Sequence, residues 1–343
     1  MRVVDVRAVH PDAPQAPQDW RSWLGQILVA VHTDQGLTGY GVGGGGAAGV
    51  HVVRTVLREA LLGEDALDIE RLWARMYDET LPFGQKGLAI MAISGVDLAL
   101  WDLCGKQQGK PVAELLGGSA DQPIPTYTTV HRFDDMDTWQ ERYSGGVKLH
   151  VEGLDAVSRP DHLVDVVRRA RSAIGPDMPL MVDAFMSWDT VSTLSIAQRI
   201  CQYDLTWLEE PLPSDDLQGY AMLTRQCPIP IAGGEHEFTA AAFEYLMQHR
   251  AHDVLQPDVC WCGGLTQLVK IYEMAQRYGL RVCPHRGAEV WALHAIAALD
   301  PQPMAESGRP WMTWVQGQPS IEDGVVRLRS APGFGVAFDD TLW

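Results

Sequence analysis

Apolar and polar positions alternate in two different ways along this chain, and the change comes near residue 120. From residue 122 onward, short apolar runs are separated by longer segments in which apolar residues recur every three or four positions. Runs of the first kind are typical of buried strands, and segments of the second kind are typical of helices that pack on one face. The eight apolar runs predict strands at 124–130, 147–151, 179–182, 206–208, 229–232, 254–256, 281–283 and 303–305.

Helical periodicity separates most of these runs. Eight strands within roughly 185 residues, each followed by a helix where one can be read, predict an α/β chain folded as a (β/α) barrel rather than an open sheet. The helical pattern is clearest at 159–174, 190–203, 240–248 and 265–278.

The earlier part of the chain follows a different pattern. An apolar run at 26–32, the turn Asp34-Gln35-Gly36 and a second run toward Tyr40 predict a β-hairpin. Helical periodicity comes after the hairpin, so strands and helices are segregated and the segment is predicted to be α+β. The three helices are expected at 52–62, 69–79 and 88–105.

These patterns divide the chain into three parts. We expect an α+β capping domain at 1–118, a barrel at 119–318 and a β-rich tail at 319–343 that returns to the cap. A proline-rich segment followed by two tryptophans, at about 11–24, is interpreted as a lid loop.

Three acidic residues, Asp183, Glu209 and Glu235, each close one of the apolar runs and are spaced 26 residues apart. One β/α unit takes roughly 25–30 residues, so the three carboxylates are predicted to share one rim of the barrel. Converging carboxylates repel one another unless a cation lies between them, and oxygen ligands without His or Cys favour Mg²⁺ or Mn²⁺ over Zn²⁺. Glu210 follows Glu209 directly and is expected to point to the other side as the more exposed neighbour.

The other strand ends also carry ionisable residues. Asp258 and His285 are 27 residues apart on adjacent predicted strands, so their side chains can meet and form a general base oriented by a carboxylate. Lys148 and His150 lie two residues apart on the second strand and face the same side, and Glu306 ends the eighth. Each residue alone has an ordinary explanation, such as a surface acid or a satisfied histidine, but the set favours an active site.

Composition and net charge restrict the classes of partner that this protein is expected to bind. The net charge of −17 argues against nucleic acid or anionic membrane, and no uninterrupted apolar run approaches 18 residues. The six cysteines form no CxxC pair, which is typical of a cytoplasmic protein with buried thiols. A zinc site built on Cys260 and Cys262 is the less favoured alternative. Lysines are five of the 27 basic residues, so Lys148 at a strand end is expected to have a role.

The chain resembles the mandelate racemase-like group of the enolase superfamily. The resemblance covers nearly its full length and rests on Ala92-Ile-Ser-Gly-Val-Asp97-Leu-Ala-Leu-Trp101, on Trp207-Leu-Glu-Glu-Pro211 and on the acidic rim. Within that group the chain is most similar to the L-rhamnonate dehydratase-type sugar-acid dehydratases. The phrases that carry this likeness are Val182-Asp183-Ala-Phe-Met-Ser-Trp188, Gly234-Glu235-His236-Glu237, Gln256-Pro-Asp258-Val-Cys-Trp-Cys-Gly-Gly264-Leu-Thr266 and Val282-Cys-Pro-His285.

The resemblance implies a modified (β/α)7β barrel and a Mg-dependent dehydratase of aldonic acids, with an L-rhamnonate-like substrate favoured. It implies that Asp183, Glu209 and Glu235 hold the Mg²⁺, and that His285, backed by Asp258, removes the proton α to the substrate carboxylate. The metal-stabilised enediolate then loses its β-hydroxyl and gives a 2-keto-3-deoxy acid. Mn²⁺ is the alternative cation.

The remaining site residues follow from the same resemblance. Glu306, if protonated, would donate a hydrogen bond to the dianion. His285 would protonate the leaving hydroxyl if both groups leave from one face, and Lys148 or His150 would do so if they leave from opposite faces. His236 would contact the substrate. Arg21, in the lid loop, is a further candidate for substrate contact. The sequence departs from the family where the usual second-strand Lys-x-Lys is Lys148-Leu-His150.

Two other functions stay open. A racemase or epimerase would use His285 on one face of the substrate and Lys148 or His150 on the other. A non-catalytic carbohydrate-binding protein is the more remote alternative, and the intact set of rim residues argues against it. The resemblance also implies a homo-oligomer, and octamers are common among the relatives.

Overall fold

The structure is a computed structural model that describes residues 1–12 and 20–343. For Trp20, Arg21, Gln140 and Glu141 the description covers the backbone and not the side chain. Most of the predicted lid loop and the side chain of Arg21, the candidate substrate contact, therefore lie outside the described residues.

The first part of the chain forms a three-stranded antiparallel sheet covered by helices. Its strands, in spatial order, are β1 (Val3–Val9), β2 (Ile27–Thr33) and β3 (Thr38–Gly43), so the predicted hairpin is confirmed and β1 adds an unpredicted edge. The single helix expected at 52–62 is instead two helices joined by a π-helical turn, Val53–Leu57. The helices are α1 (Trp20–Leu24), α2 (Gly46–Val52), α3 (Arg58–Leu61), α4 (Ile69–Thr80), α5 (Leu88–Gln108) and α6 (Val112–Leu115).

Close packing of α5 on β3 depends on glycine. Gly39, Gly41 and Gly43 alternate along β3 and share its inner face. A Cβ atom at Gly39 would overlap the carbonyl oxygen of Ala99, and one at Gly41 would overlap that of Gly95. The three glycines thus let the helix backbone lie directly on the strand, and this contact forms the centre of the cap.

α5 is the one helix of the described residues that is long and apolar enough to cross a membrane by length and composition. Its most apolar stretch is 78% buried against β2, β3 and neighbouring helices, as is typical of a core helix.

The second part of the chain forms eight parallel strands, as predicted. Neighbouring strands pair in chain order from β4 to β10, and β11 returns to pair with β4. Among the described residues no backbone ladder joins β10 to β11, but Cys283 Sγ lies 3.6 Å from the carbonyl oxygen of Met304 at this seam. The strands are β4 (Ile124–Val130), β5 (Val147–His150), β6 (Leu180–Asp183), β7 (Trp207–Glu209), β8 (Ile231–Gly233), β9 (Val254–Leu255), β10 (Arg281–Val282) and β11 (Ala305–Glu306).

Helices surround these strands and separate them along the chain. The predicted helices at 159–174 and 265–278 correspond to α8 (Pro160–Ile174) and α12 (Leu265–Tyr278). The helix predicted at 190–203 ends in a 3₁₀ turn, Cys201–Tyr203. The helices are α7 (Trp139–Arg142), α8 (Pro160–Ile174), α9 (Thr190–Ile200), α10 (Leu217–Gln226), α11 (Thr239–Gln248), α12 (Leu265–Tyr278) and α13 (Val290–Leu299), with further 3₁₀ turns at Met136–Thr138, Glu152–Leu154 and Asp340–Leu342.

The interior of the barrel determines which side chains reach its rim. One layer of buried residues, which includes Met181 and Trp207, forms its own apolar cluster. Side chains along a strand alternate in direction, so residues two positions further on point into the same interior. Asp183 and Glu209 occupy these positions at the carboxyl ends of β6 and β7, and they pair with each other in the ladder.

The tail divides between the two parts of the structure. Its hairpin, β12 (Ile321–Glu322) and β13 (Val325–Val326), pairs antiparallel with the start of β4 in the barrel rather than with the cap. Further along, the Phe334 N–H donates to Asp102 Oδ1 of α5 at 2.9 Å. The Phe338 ring also lies 5.0 Å from that of Tyr40 on β3. The expected return to the cap is thus seen in the last residues and not in the hairpin.

Candidate active site

The predicted rim residues converge at the carboxyl ends of the barrel strands. The loops that carry them contain several non-glycine residues with positive φ, a backbone region that costs free energy and is often found at functional sites. Such residues lie within four positions of the ends of three strands, β6, β7 and β10. They are Phe185 (φ 45°), Met186 (φ 59°), Glu210 (φ 37°) and Arg286 (φ 54°).

Asp258 and His285 form a hydrogen-bonded dyad, as predicted. His285 Nδ1 lies 2.8 Å from Asp258 Oδ2, and Asp258 Oδ1 accepts the N–H of Cys260 at 2.8 Å. A carboxylate on Nδ1 selects the tautomer whose free nitrogen is Nε2. That atom faces Glu235 Oε2 at 3.3 Å and Glu306 Oε2 at 3.9 Å, so the basic nitrogen points toward these two carboxylates.

Arg309 completes the environment of this dyad, and the sequence reasoning missed it. Its Nη2 contacts Asp258 Oδ2, the same oxygen that faces His285. Burial by itself raises the pKa of Asp258, but the charge of Arg309 and the hydrogen bond with His285 outweigh it and hold that pKa at about 2. Asp258 is therefore a carboxylate throughout the neutral range.

Lys148 lies beneath the rim and is 1% exposed, surrounded by three carboxylates. Its Nζ contacts Glu209 Oε1 and lies 3.1 Å from Glu306 Oε1 and 3.6 Å from Asp183 Oδ2. Burial lowers the pKa of Lys148, but the three acids outweigh it and raise that pKa well above its usual value. Burial also raises the pKa of Glu209 to about 7, since Lys148 offsets its charge only in part. The amine is thus a fixed positive charge.

Glu306 is positioned as predicted, but its contacts are those of an acceptor. It accepts the backbone N–H of Arg286 at 3.0 Å and the hydroxyl of Thr129, and it pairs with Lys148. Burial raises the pKa of Glu306, yet Lys148 and Arg286 outweigh burial and hold that pKa well below its usual range. In this arrangement Glu306 accepts hydrogen bonds, and its role as a protonated donor to the dianion stays a prediction.

Glu235, His236 and Glu210 form a group beside the dyad that we call the acidic cluster. Atoms of all three lie within 4.8 Å of one another, and His236 Nδ1 lies 2.8 Å from Glu210 Oε2. Burial lowers the pKa of His236, but Glu210 and Glu235 outweigh it and raise that pKa to about 9. Burial, with repulsion from Glu210, raises the pKa of Glu235 to about 7. Glu210 is expected to be the more exposed neighbour of Glu209, but both side chains are buried, Glu210 at 2% and Glu209 at 1% exposed.

His150 lies above Lys148 at the end of β5. Its Nδ1 is 3.1 Å from Asp183 Oδ2 and its Nε2 is 3.6 Å from Glu152 Oε2. Burial lowers the pKa of His150, but the hydrogen bond with Asp183 outweighs it, so that pKa is raised. The two residues predicted to act together on this strand thus differ, since His150 reaches the cavity and Lys148 is enclosed under it.

Some of these groups line one cavity of about 640 Å³, while Lys148, Asp183, Glu209, Asp258 and Glu306 are not part of its lining. Its wall combines histidines and acids from the rim with three aromatic rings, a combination suited to a polar ligand with an apolar face. The lining includes the predicted His150, Glu235, His236 and His285, and it also includes the unpredicted His131, Glu152, Phe185, Trp261, Arg286, Arg309 and Trp311.

The side chains fit a hard divalent cation. Asp183, Glu209, Glu210 and Glu235 are all buried, and burial is the main cause that raises the pKa values of Glu209 and Glu235 to about 7. Among the described residues, the group whose ligand atoms lie within 4.8 Å of one another is Glu210, Glu235 and His236 rather than the predicted Asp183, Glu209 and Glu235. Buried carboxylates in excess of buried cations are the donor set that Mg²⁺ and Mn²⁺ prefer.

Cys260 and Cys262 lie in the apolar core, and among the described residues no group of three metal-ligating side chains includes a cysteine. The alternative zinc site therefore lacks support.

Two family models match this chain. The one described as the mandelate racemase / muconate lactonizing enzyme N-terminal domain covers residues 6–117, and the one described as enolase C-terminal domain-like covers residues 134–342. A curated L-rhamnonate dehydratase from Saccharopolyspora erythraea is 36% identical over 325 residues, which are 91% of this chain and 83% of that protein.

Solved structures share the fold over almost the whole chain. The structure of L-talarate dehydratase from Polaromonas sp. JS666, complexed with Mg and L-glucarate, matches with a TM-score of 0.82 and 31% identity over 93% of this chain and 91% of that one. A racemase from Streptomyces coelicolor A3(2) with bound magnesium matches with a TM-score of 0.85 and 30% identity over 98% of this chain and 96% of that one. Together with the two family models, these matches establish that the chain belongs to the enolase superfamily, in its mandelate racemase / muconate lactonizing enzyme group.

Proposed function

We propose that this protein is a Mg²⁺-dependent dehydratase of sugar acids that converts an aldonate into a 2-keto-3-deoxy acid, with an L-rhamnonate-like substrate favoured. The similarity to L-rhamnonate and L-talarate dehydratases supports a hydro-lyase that acts on acid sugars. The observation that carries the proposal is the His285–Asp258 dyad, whose free nitrogen lies 3.3 Å from the buried carboxylate of Glu235 at the edge of the cavity.

In this proposal Asp183, Glu209 and Glu235 hold the cation, with Mn²⁺ as the alternative to Mg²⁺. Glu209 suits a ligand because its Oε2 accepts hydrogen bonds from Trp207 Nε1 at 2.9 Å and Gln256 Nε2 at 2.6 Å, which orient the carboxylate. The bound cation supplies Lewis-acid stabilisation for negative charge that develops on the substrate carboxylate. Lys148 adds a positive charge directly against the Glu209 carboxylate.

His285 Nε2 takes the proton from the carbon next to the substrate carboxylate. Asp258 keeps the other ring nitrogen protonated and stabilises the imidazolium that forms, as a carboxylate partner does in other acid–base dyads. The β-hydroxyl leaves as water and needs a proton. His285 can return that proton if both groups leave from one face, whereas His150 is the donor if they leave from opposite faces.

Incubation of the purified protein with Mg²⁺ and a library of pentonates, hexonates and deoxyhexonates tests this function. Formation of a 2-keto acid, detected as its semicarbazone, is the expected result, and it should disappear in His285→Asn and after chelation of Mg²⁺. Absence of product with every acid in the library would refute the dehydratase. Binding of a sugar acid without turnover would favour a carbohydrate-binding protein.

Racemisation or epimerisation is the second candidate, and one observation favours it. His150 and His285 line the same cavity from different strands, so each can reach one face of a bound acid. Exchange of the α-hydrogen with solvent deuterium, without formation of a keto acid, would assign the protein to this chemistry.

A further inference from the structure

Arg309 is buried on the loop that follows β11, and it joins two parts of the barrel. Its Nη2 contacts Asp258 of the dyad, and its Nη1 lies 2.6 Å from Glu289 Oε2. The backbone N–H of Arg309 also donates to Glu289 Oε1 at 2.8 Å. A planar guanidinium that bridges two carboxylates has a fixed orientation, because its donors form a rigid fork.

The surrounding chain is arranged around this bridge. Gly308 leaves no room for a side chain, since a Cβ atom there would lie 2.8 Å from Glu289 Cγ. Trp311, two residues after Arg309, donates from Nε1 to Gln26 Oε1 of the cap at 3.2 Å. The loop is therefore held by α13 on one side and by the cap on the other, with Arg309 between them.

Arg309 also supports the aromatic wall beside the base. Its guanidinium lies 5.6 Å from the centre of the Trp261 ring, and that ring lies 5.9 Å from His285. Arg309 thus limits the movement of His285 along two routes, one through Asp258 and the other through Trp261.

We propose that Arg309 is a positioning residue for proton abstraction, which anchors the Asp258 carboxylate and through it the ring of His285. The inference rests on the proposed role of His285 as the base. Both terminal nitrogens of Arg309 are occupied by carboxylates, so it acts through Asp258 although it borders the cavity. The bridge to Glu289 distinguishes this arrangement from a simple His–Asp dyad.

Arg309→Ala and Arg309→Lys test the proposal, with Arg168→Ala as the control. Arg168 lies on α8 and pairs with Asp165 at 2.6 Å, where both side chains are exposed. Loss of an outer partner typically costs about 10- to 100-fold in activity, so we expect kcat of Arg309→Ala to fall by that factor with KM little changed. Lysine cannot bridge two carboxylates, so Arg309→Lys should recover little activity. Added guanidinium should restore turnover to Arg309→Ala, and Arg168→Ala should behave as wild type.

A second readout needs no substrate and separates this inference from the proposed function. In ¹⁵N-histidine-labelled protein, the His285 Nδ1–H should give a downfield resonance that His285→Asn removes and that Arg309→Ala shifts or broadens. Circular dichroism confirms that each variant is folded. An unchanged resonance in folded Arg309→Ala would overturn the proposal, as would a rise in KM with kcat unchanged, which would mark direct substrate contact. If Arg309→Ala shifts or broadens this resonance while the wild-type protein turns over no sugar acid, the proposed function is refuted and the positioning role of Arg309 stands.

Discussion

Replacement of Glu235 with glutamine should make the cation-free protein more stable at alkaline pH, although it removes a proposed ligand. Glu235 is 7% exposed, and its pKa is raised from 4.5 to about 7, first by burial and then by Glu210. A carboxyl group whose pKa is higher in the folded state binds its proton more tightly there, so the free energy of unfolding falls as pH rises. This loss begins near pH 4.5 and is complete above about pH 7.

The magnitude follows from the two pKa values. The difference between 4.5 and about 7 corresponds to about 3 kcal/mol of the free energy of unfolding. Glutamine cannot ionise, so Glu235→Gln should exceed wild type by about that amount at pH 8 in the presence of a chelator. At pH 5 the two proteins should be similar. Mg²⁺ at about 1,000 times its Kd for wild type should reverse the order at pH 8, because a cation that binds the folded state then contributes about 4.1 kcal/mol.

Urea unfolding followed by tryptophan fluorescence, between pH 5 and pH 8 and with either EDTA or Mg²⁺, measures these differences. Glu237→Gln is the matched control, since Glu237 lies two residues further on and pairs with Lys86 at 2.6 Å outside the acidic cluster. If Glu235→Gln is less stable than wild type at pH 8 in EDTA, the inference that this site buries an excess of negative charge is refuted.

Three further predictions concern the base, the cation and the cap. His285→Asn should lower turnover by about 10²- to 10⁴-fold, the contribution of a general base, while calorimetry still detects Mg²⁺ and sugar-acid binding. Glu209→Gln should weaken Mg²⁺ binding more than Glu210→Gln does in the same titration, and the opposite order would assign Glu210 to the cation. Gly41→Ala should lower the free energy of unfolding by about 1–3 kcal/mol through overlap with α5, as followed by thermal denaturation. Gly153→Ala, where nothing lies within 4 Å, is the control for this last change.

The barrel could be predicted because its strands are enclosed on both faces and therefore appear as uninterrupted apolar runs. The run at 124–130 corresponds to β4 without a change of boundary, and the periodic segment at 265–278 corresponds to α12. The same reasoning failed for α13, Val290–Leu299, in which eight of ten residues are buried. A helix enclosed on every side has no polar face, so its sequence lacks the period that would identify it.

The contact between Asp258 and His285 could also be predicted, because adjacent parallel strands end at the same rim and the interval between the residues is one β/α unit. Arg309 could not. It comes from a loop, and its position is determined by Glu289 before α13 and by the contact of Trp311 with the cap. Residues brought together by tertiary contacts between loops leave no interval in the sequence that identifies them.

Glu209 and Glu210 show where the alternation rule stops. Alternation correctly directs Glu209 into the barrel interior, but it also predicts that Glu210 faces away. The strand has ended at that point, and the positive φ of Glu210 turns the chain so that its carboxylate reaches His236. One strand end thus contributes two buried acids to the site. His236 offsets one of them when protonated, and the charge that remains strengthens the case for a divalent cation.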